Sequence, residues 1–312
     1  MIKKYLKPYF IAEIGSNFDQ NLNIGYKLID EAKKCGADAV KFQMFNARKL
    51  YPNNKKMFTI FKSIQLKKSY FKNFYYYAKK LELDVSASVF DLELAKYLNT
   101  FKVDFHKIAS SELSNYKLID KLSKSKKPIF LSTGMSDLND IKLAVEICEK
   151  NNNYNIVIMQ CGSDYPLKHK DVNLNTLKTF KSQFNYNIGF SDHTLGDIAA
   201  ITSIGLGATV IEKHITLNKN SLGPDHFFAM EPYEFKNYIK SVNESFKCLG
   251  SSKKDLLKQE RKNSRRKGLY FNKNLKKGEF FTTRDFFEKS PPLGLTSLYL
   301  KTILNRKLKK DV

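Results

Sequence analysis

Short apolar runs alternate along the chain with segments whose apolar residues recur every three to four positions. The runs at 10–14, 39–42, 85–88, 105–108, 129–132, 156–160, 188–190 and 209–213 predict buried strands. The periodic segments at 22–35, 69–81, 92–99, 116–123, 138–150, 174–184, 197–205 and 232–249 predict amphipathic helices. Eight strands, each followed by a helix within about 250 residues, is the arithmetic of a (β/α)8 TIM barrel. A doubly wound sheet is the alternative, and its phosphate fingerprint is missing. Gly205-Leu206-Gly207 precedes a strand, whereas a dinucleotide-binding motif follows one and opens a helix.

The pattern changes after residue 250. Eight basic residues crowd between Lys253 and Lys267 with few apolar ones, so 251–267 reads as a surface linker. From 268 to 312, Gly268–Phe271, Lys277-Gly278-Glu279 and Pro291-Pro292 describe a small strand-and-turn module. A module of that size holds little core of its own and needs a surface to dock on. The expected organisation is a barrel over 1–250, a linker over 251–267 and a small domain over 268–312.

Composition narrows the class. At 42% hydrophobic the chain can fill a core, which excludes global disorder. The uncharged stretch 198–211 is too short for a membrane span, and Met1-Ile2-Lys3-Lys4-Tyr5-Leu6 lacks the apolar region of a signal peptide. Cys35, Cys148, Cys161 and Cys248 are widely spaced, which fits reduced thiols in a cytoplasm and no disulfide framework. The formal net charge is +23, but only six of the 54 basic residues are arginine. Nucleic-acid readers lean on arginine for bidentate contacts, so the lysines read as a solvated surface whose field draws in anionic substrates.

Chemistry in such a barrel collects where the strands end, and the polar residues fall there. Glu13 closes the first strand, Lys41 lies in the end of the second, and Ser88 closes the third. Lys107, Ser110 and Glu112 follow in the fourth, and Ser132 closes the fifth. Ser163 and Tyr165 come after the sixth, Ser191 and His193 at the seventh, and His214 at the eighth. Lys41 and Lys107 with Ser88, Ser110, Ser132 and Ser191 offer two ammonium charges and several hydroxyls, a set suited to a phosphate and a carboxylate. His193 and His214 end neighbouring strands, where two imidazoles can share a metal and leave positions open. Glu13 and Glu112 are candidates for proton transfer or hydroxyl recognition. A Schiff-base aldolase is the competing use of a strand-end lysine.

Five motifs extend this reading: Phe10-Ile11-Ala12-Glu13-Ile14-Gly15, Lys107-Ile108-Ala109-Ser110-Ser111-Glu112, Leu131-Ser132-Thr133-Gly134-Met135, Gly189-Phe190-Ser191-Asp192-His193-Thr194 and Glu212-Lys213-His214. Together with Gly223-Pro224-Asp225-His226, they resemble the sialic acid synthase family over nearly the whole chain. The resemblance implies condensation of phosphoenolpyruvate with an N-acylated amino sugar, N-acetylmannosamine in an N-acetylneuraminate synthase. Legionaminic and pseudaminic acid synthases share the barrel motifs. It implies that Lys41, Ser88, Lys107, Ser110, Ser132, Ser163 and Ser191 hold phosphoenolpyruvate. His193 and His214 would ligate manganese or magnesium, with Glu13, Glu112, Tyr165 and Asp225 around the sugar or metal-bound water. Arg265-Arg266 and Leu275-Lys276-Lys277-Gly278-Glu279 resemble the family's antifreeze-like (SAF) domain, which caps the barrel of the partner in a swapped homodimer. Phe18 departs from the family's Asn-His pair, Ser88 from a threonine, and Ser163 from an asparagine or threonine. Lys289-Ser290-Pro291 stands where that domain has Lys-Arg-Pro.

Overall fold

The eight apolar runs become eight parallel strands that close on themselves: β1 (Tyr9–Gly15), β2 (Ala39–Met44), β3 (Asp84–Val89), β4 (His106–Ile108), β5 (Ile129–Ser132), β6 (Ile156–Cys161), β7 (Asn187–Asp192) and β8 (Val210–His214). Each pairs with the next, and β8 pairs with β1, so no edge is left open. The computed structural model describes residues 7–262, 266–292 and 294–312. The readings of the first six residues and of Arg265 fall outside these.

Helices α1 (Leu22–Cys35), α2 (Ala47–Leu50), α3 (Lys55–Ile64), α4 (Lys68–Lys80), α5 (Leu92–Leu98), α6 (Tyr116–Ser123), α7 (Leu138–Lys150), α8 (Thr176–Gln183), α9 (Ile198–Gly205) and α10 (Pro232–Leu249) fill the connections and follow β8. Local chemistry sets their ends. The Asn21 side chain accepts from the Asn23 and Ile24 amides to start α1, and Gly36 ends it in the left-handed region at φ 95°. Asp137 and Asp140 form a reciprocal capping box on α7. The α2 and α3 helices are additions to the expected pattern. α2 is only four residues long, and α3, although Met57, Ile60, Phe61 and Ile64 recur at helical spacing, has no fully buried residue.

Two apolar layers hold the barrel. One lies between strands and helices and includes Phe18, Phe42, Phe71 and Phe74. The other plugs the barrel interior with Ile11, Ala39, Phe105, Phe130, Val157, Met159 and Val210. Phe105 and Phe130 stack there with centroids 4.6 Å apart. This plug makes the floor of the barrel mouth a low-dielectric surface.

Gly25 marks the tightest helix contact. A Cβ there would sit 2.2 Å from Cζ of Phe74, a fully buried ring wedged against Phe18, Tyr26 and Phe42. Helix propensity favours alanine by about 1 kcal/mol, but overpacking costs about 1–3 kcal/mol and Phe74 is fully buried among other rings. Gly25→Ala should therefore lower stability, read as a drop in denaturant midpoint. An unchanged or raised midpoint would show that the ring can move.

The chain divides into two compact units, Met1–Gly250 and Ser251–Val312. The second contains α11 (Lys258–Lys262), an antiparallel pair of β9 (Gly268–Phe271) and β10 (Phe286–Lys289), and α12 (Leu300–Ile303). Phe271, Phe281 and Phe286 pack as a small aromatic core.

Candidate active site

Strand register brings the polar ends together. Glu13 lies opposite Lys41 on one side and His214 on the other, Ser88 opposite Lys107, and Ser191 between Cys161 and Glu212. Side chains alternate along a strand, which sorts the histidine motifs. Ser191, His193, Glu212 and His214 line the mouth. Asp192 and Lys213 form an ion pair at 3.2 Å away from it, with the Tyr238 hydroxyl of α10 donating to Asp192 at 2.8 Å. Lys213 also donates to the Thr194 carbonyl. These residues brace the barrel against α10.

The mouth is a cavity of about 460 Å³. Lys41 forms an ion pair with Glu13 at 2.6 Å and donates to the Ser88 hydroxyl at 3.1 Å. Lys107 donates to the Ser132 hydroxyl at 2.6 Å and lies 3.4 Å from Glu212. Ser191 donates to the same Glu212 carboxylate at 2.9 Å, and Lys41 lies 3.9 Å from its other oxygen. Two buried cations thus share one carboxylate between them. Glu212 was absent from the expected site residues. The signal was present, since Glu212 stands two positions before His214 and therefore on the same face of β8.

Burial decides the charge states. It raises Glu13 to about 7, with Glu212 adding to the rise and Lys41 opposing it. Burial also pushes Glu212 up, but Lys107 and Lys41 outweigh it and hold that carboxyl below its ordinary range. Lys41 loses to burial and gains more from Glu13 and Glu212, so it stays protonated. Burial and the surrounding cations keep His214 neutral. One carboxylate is thus ionised while its neighbour is poised near neutrality.

His193 and His214 stand with ring centroids 5.6 Å apart, beside Tyr165 and Phe228. Nδ1 of His193 is 2.6 Å from the Gly162 carbonyl oxygen, the kind of outer contact that orients a ligating imidazole through its other nitrogen. Nδ1 of His214 is buried without a hydrogen-bond partner. The pair fits a divalent ion held by two imidazoles and completed by substrate and water. Among the described residues no cluster of three or more metal-ligating side chains occurs.

The other expected residues divide as follows. Glu112, Ser110, Ser163 and Tyr165 line the cavity, and the Ser163 hydroxyl is buried without a partner. Asp225 does not line it. Its carboxylate accepts from the Ser16 hydroxyl at 2.9 Å and from the Ser16 amide at 3.3 Å. Cys161 and Gln43, not expected in the site, both line the mouth, and Gln43 donates to Glu13 at 3.0 Å. A Cβ on Gly134 would come within 2.6 Å of the Ser163 hydroxyl and 2.7 Å of that of Ser110. Gly134→Ala should displace both hydroxyls and weaken anion binding severalfold. Titration calorimetry with phosphoenolpyruvate checks this, and an unchanged dissociation constant would remove the two serines from the anion site.

A (β/α)8 barrel whose mouth buries two lysines among hydroxyls, with paired imidazoles alongside, belongs to the class of barrel enzymes that act on anionic substrates. Residues 28–254 match the model of the NeuB family, and the chain belongs to that family. An uncharacterised protein of Methanocaldococcus jannaschii is 41% identical over 305 residues, covering 97% of this chain and 90% of its own. The N,N'-diacetyllegionaminic acid synthase of Campylobacter jejuni is 34% identical, over 98% of each chain. The crystal structure of the N-acetylneuraminic acid synthetase of Leptospira borgpetersenii superposes with a TM-score of 0.79 at 30% identity, covering 82% of this chain and 90% of that one. The chain is accordingly a synthase of the sialic, legionaminic and pseudaminic acid group, which condenses phosphoenolpyruvate with an amino sugar. Among the described residues no helix is long and apolar enough to cross a membrane.

Proposed function

We propose that this cavity is the synthase centre, joining phosphoenolpyruvate to an open-chain acetamido sugar and releasing phosphate. The observation that carries this reading is the pair of buried lysines, Lys41 and Lys107, braced by Ser88, Ser132 and Glu212 in one polar layer. Lys41, Lys107, Ser88, Ser110, Ser132, Ser163 and Ser191 bind the phosphate and carboxylate. Preorganised donors of this kind stabilise charge without reorganising during the reaction.

The enol carbon forms a bond to the sugar aldehyde carbon, and the aldehyde oxygen takes a proton. Water then adds to the oxocarbenium-like carbon, loses a proton, and phosphate leaves with C–O cleavage. Glu13, poised near 7, can hold or release a proton at either oxygen. Glu112 lies at the mouth with one carboxylate oxygen fixed by Asn115 at 2.8 Å, leaving the other to orient a sugar hydroxyl. Tyr165 covers the imidazole pair, and Asp225 orders the Ser16 loop beside it. His193 and His214 would hold manganese or magnesium, which supplies Lewis acidity toward the sugar aldehyde.

N-Acetylmannosamine is the simplest acceptor and would give N-acetylneuraminate. A diacetamido sugar would give a legionaminic- or pseudaminic-type acid. Phosphate release from phosphoenolpyruvate across a panel of acetamido sugars tests the assignment. Release with none of them would refute it.

The second unit is proposed to be an antifreeze-like capping domain acting in a swapped homodimer. Ser290, whose hydroxyl donates to the Arg266 carbonyl at 3.0 Å, cannot supply the charged planar fork of an arginine. A dimer in sedimentation is expected, together with loss of activity on deleting 268–312. A monomer at micromolar concentration would contradict this assembly.

A further inference from the structure

The helices α2 and α3, which interrupt the path from β2 to α4, carry apolar side chains that no step above uses. Leu50 and Tyr51 at the end of α2, and Phe61 from α3, line the same cavity as the lysines. Phe61 packs on Tyr51 at 4.7 Å and on the buried Phe45 at 5.3 Å, and Phe45 in turn packs on Phe90 at 6.0 Å. The result is a braced aromatic wall. Its cavity-lining rings, Tyr51, Phe61 and Phe90, are half-buried, whereas Lys41, Lys107, Ser88, Ser132 and Ser191 are each no more than 3% exposed. These five groups therefore lie deepest, and the rings stand nearer the opening, as Ser110 and Ser163 do.

This placement constrains the acceptor. Its aldehyde must reach the enol carbon at the floor, so its far end lies along the rim. Hydroxyls pressed on rings lose water without gaining partners, whereas a methyl or N-acyl group gains contact there. Among the described residues Lys41 and Lys107 are the only lysine or arginine side chains lining the cavity. Arg48 and Lys55 line a neighbouring hollow of about 300 Å³ that meets the mouth only through Tyr51. Among the described residues a sugar phosphate would find no lysine or arginine in the mouth beyond the two assigned to phosphoenolpyruvate.

We propose that Tyr51 and Phe61 are specificity-determining residues that select an uncharged acetamido sugar with an apolar far end, a methyl or second N-acyl group replacing hydroxyls. The inference rests on the synthase reading above. Its test is phosphate release from phosphoenolpyruvate by the full chain with manganese, using N-acetylmannosamine, its 6-phosphate, and 2,4-diacetamido-2,4,6-trideoxymannose. The kcat/KM for the trideoxy sugar should exceed that for N-acetylmannosamine by about tenfold to a hundredfold, the range a hydrophobic pocket achieves. Phe61→Ser should narrow that ratio by raising the trideoxy sugar's KM, and Phe61→Leu should retain it. Equal or better use of N-acetylmannosamine or its 6-phosphate would overturn the inference while leaving the synthase reading intact. So would a ratio that is the same in Phe61→Ser, Phe61→Leu and the unaltered chain. Release with no acetamido sugar at all would overturn both.

Discussion

Replacing Lys41 with methionine should weaken phosphoenolpyruvate binding by about tenfold to a hundredfold, the loss of a charge-assisted contact of about 1.5–3 kcal/mol. The same change at Lys107 should act similarly, because each lysine lies buried beside its own serine hydroxyl. The two variants should differ in what they leave behind. Without Lys41, Glu13 loses its partner at 2.6 Å and Glu212 keeps Lys107 at 3.4 Å. Glu13 then escapes the penalty of an unpaired buried charge by taking a proton, since burial already holds it near 7. Lys107→Met instead leaves Glu212 with the Ser191 hydroxyl and with Lys41 at 3.9 Å as its one remaining lysine, so it should cost more stability than Lys41→Met. Calorimetry reads the affinity and denaturant titration the stability. An unchanged dissociation constant in either variant would contradict the anion assignment. Borohydride trapping of a covalent adduct on either lysine would replace it with Schiff-base chemistry.

His193→Ala and His214→Ala should each abolish metal-dependent turnover, a fall of more than about a hundredfold given that loss of an outer-sphere partner alone costs 10–100-fold. Folding should survive, because neither ring belongs to the two apolar clusters and both stand at the polar mouth. Far-ultraviolet circular dichroism and a thermal midpoint near that of the unaltered chain would establish this. Full activity of either variant in the presence of chelator would exclude the histidine pair from the reaction.

The barrel was legible because its strands are buried on both sides and read as continuous apolar runs. The end of α1 at Cys35, the whole of α7 and the whole of α10 were equally plain from cap and periodicity. Strand ends were less so. β2 and β3 run one or two residues beyond the apolar stretch, because Gln43 and Val89 continue the ladder whatever their side chains. The cavity-lining residues were legible where a charge interrupts an apolar run, as at Lys41 and Lys107. Glu212 escaped because its neighbour Lys213 faces the helices, and the two charges next to each other read as one motif. The helices α2 and α3 escaped for a different reason. The asparagines at 46 and 54 are helix caps; α2 is too short to show a period, whereas Met57, Ile60, Phe61 and Ile64 do recur at helical spacing, a signal present in the sequence and not used. Only the closed barrel places Phe61 near Lys41.

One mouth is proposed to bind phosphoenolpyruvate on two lysines and to add it to an acetamido sugar. A continuous assay of inorganic phosphate, run with and without sugar and with and without manganese or chelator, tests it most directly. Release is expected only when phosphoenolpyruvate, an acetamido sugar and the metal are all present, with an equivalent of 2-keto acid formed per phosphate. Phosphate release that proceeds without the sugar, or turnover without phosphate release, would contradict it.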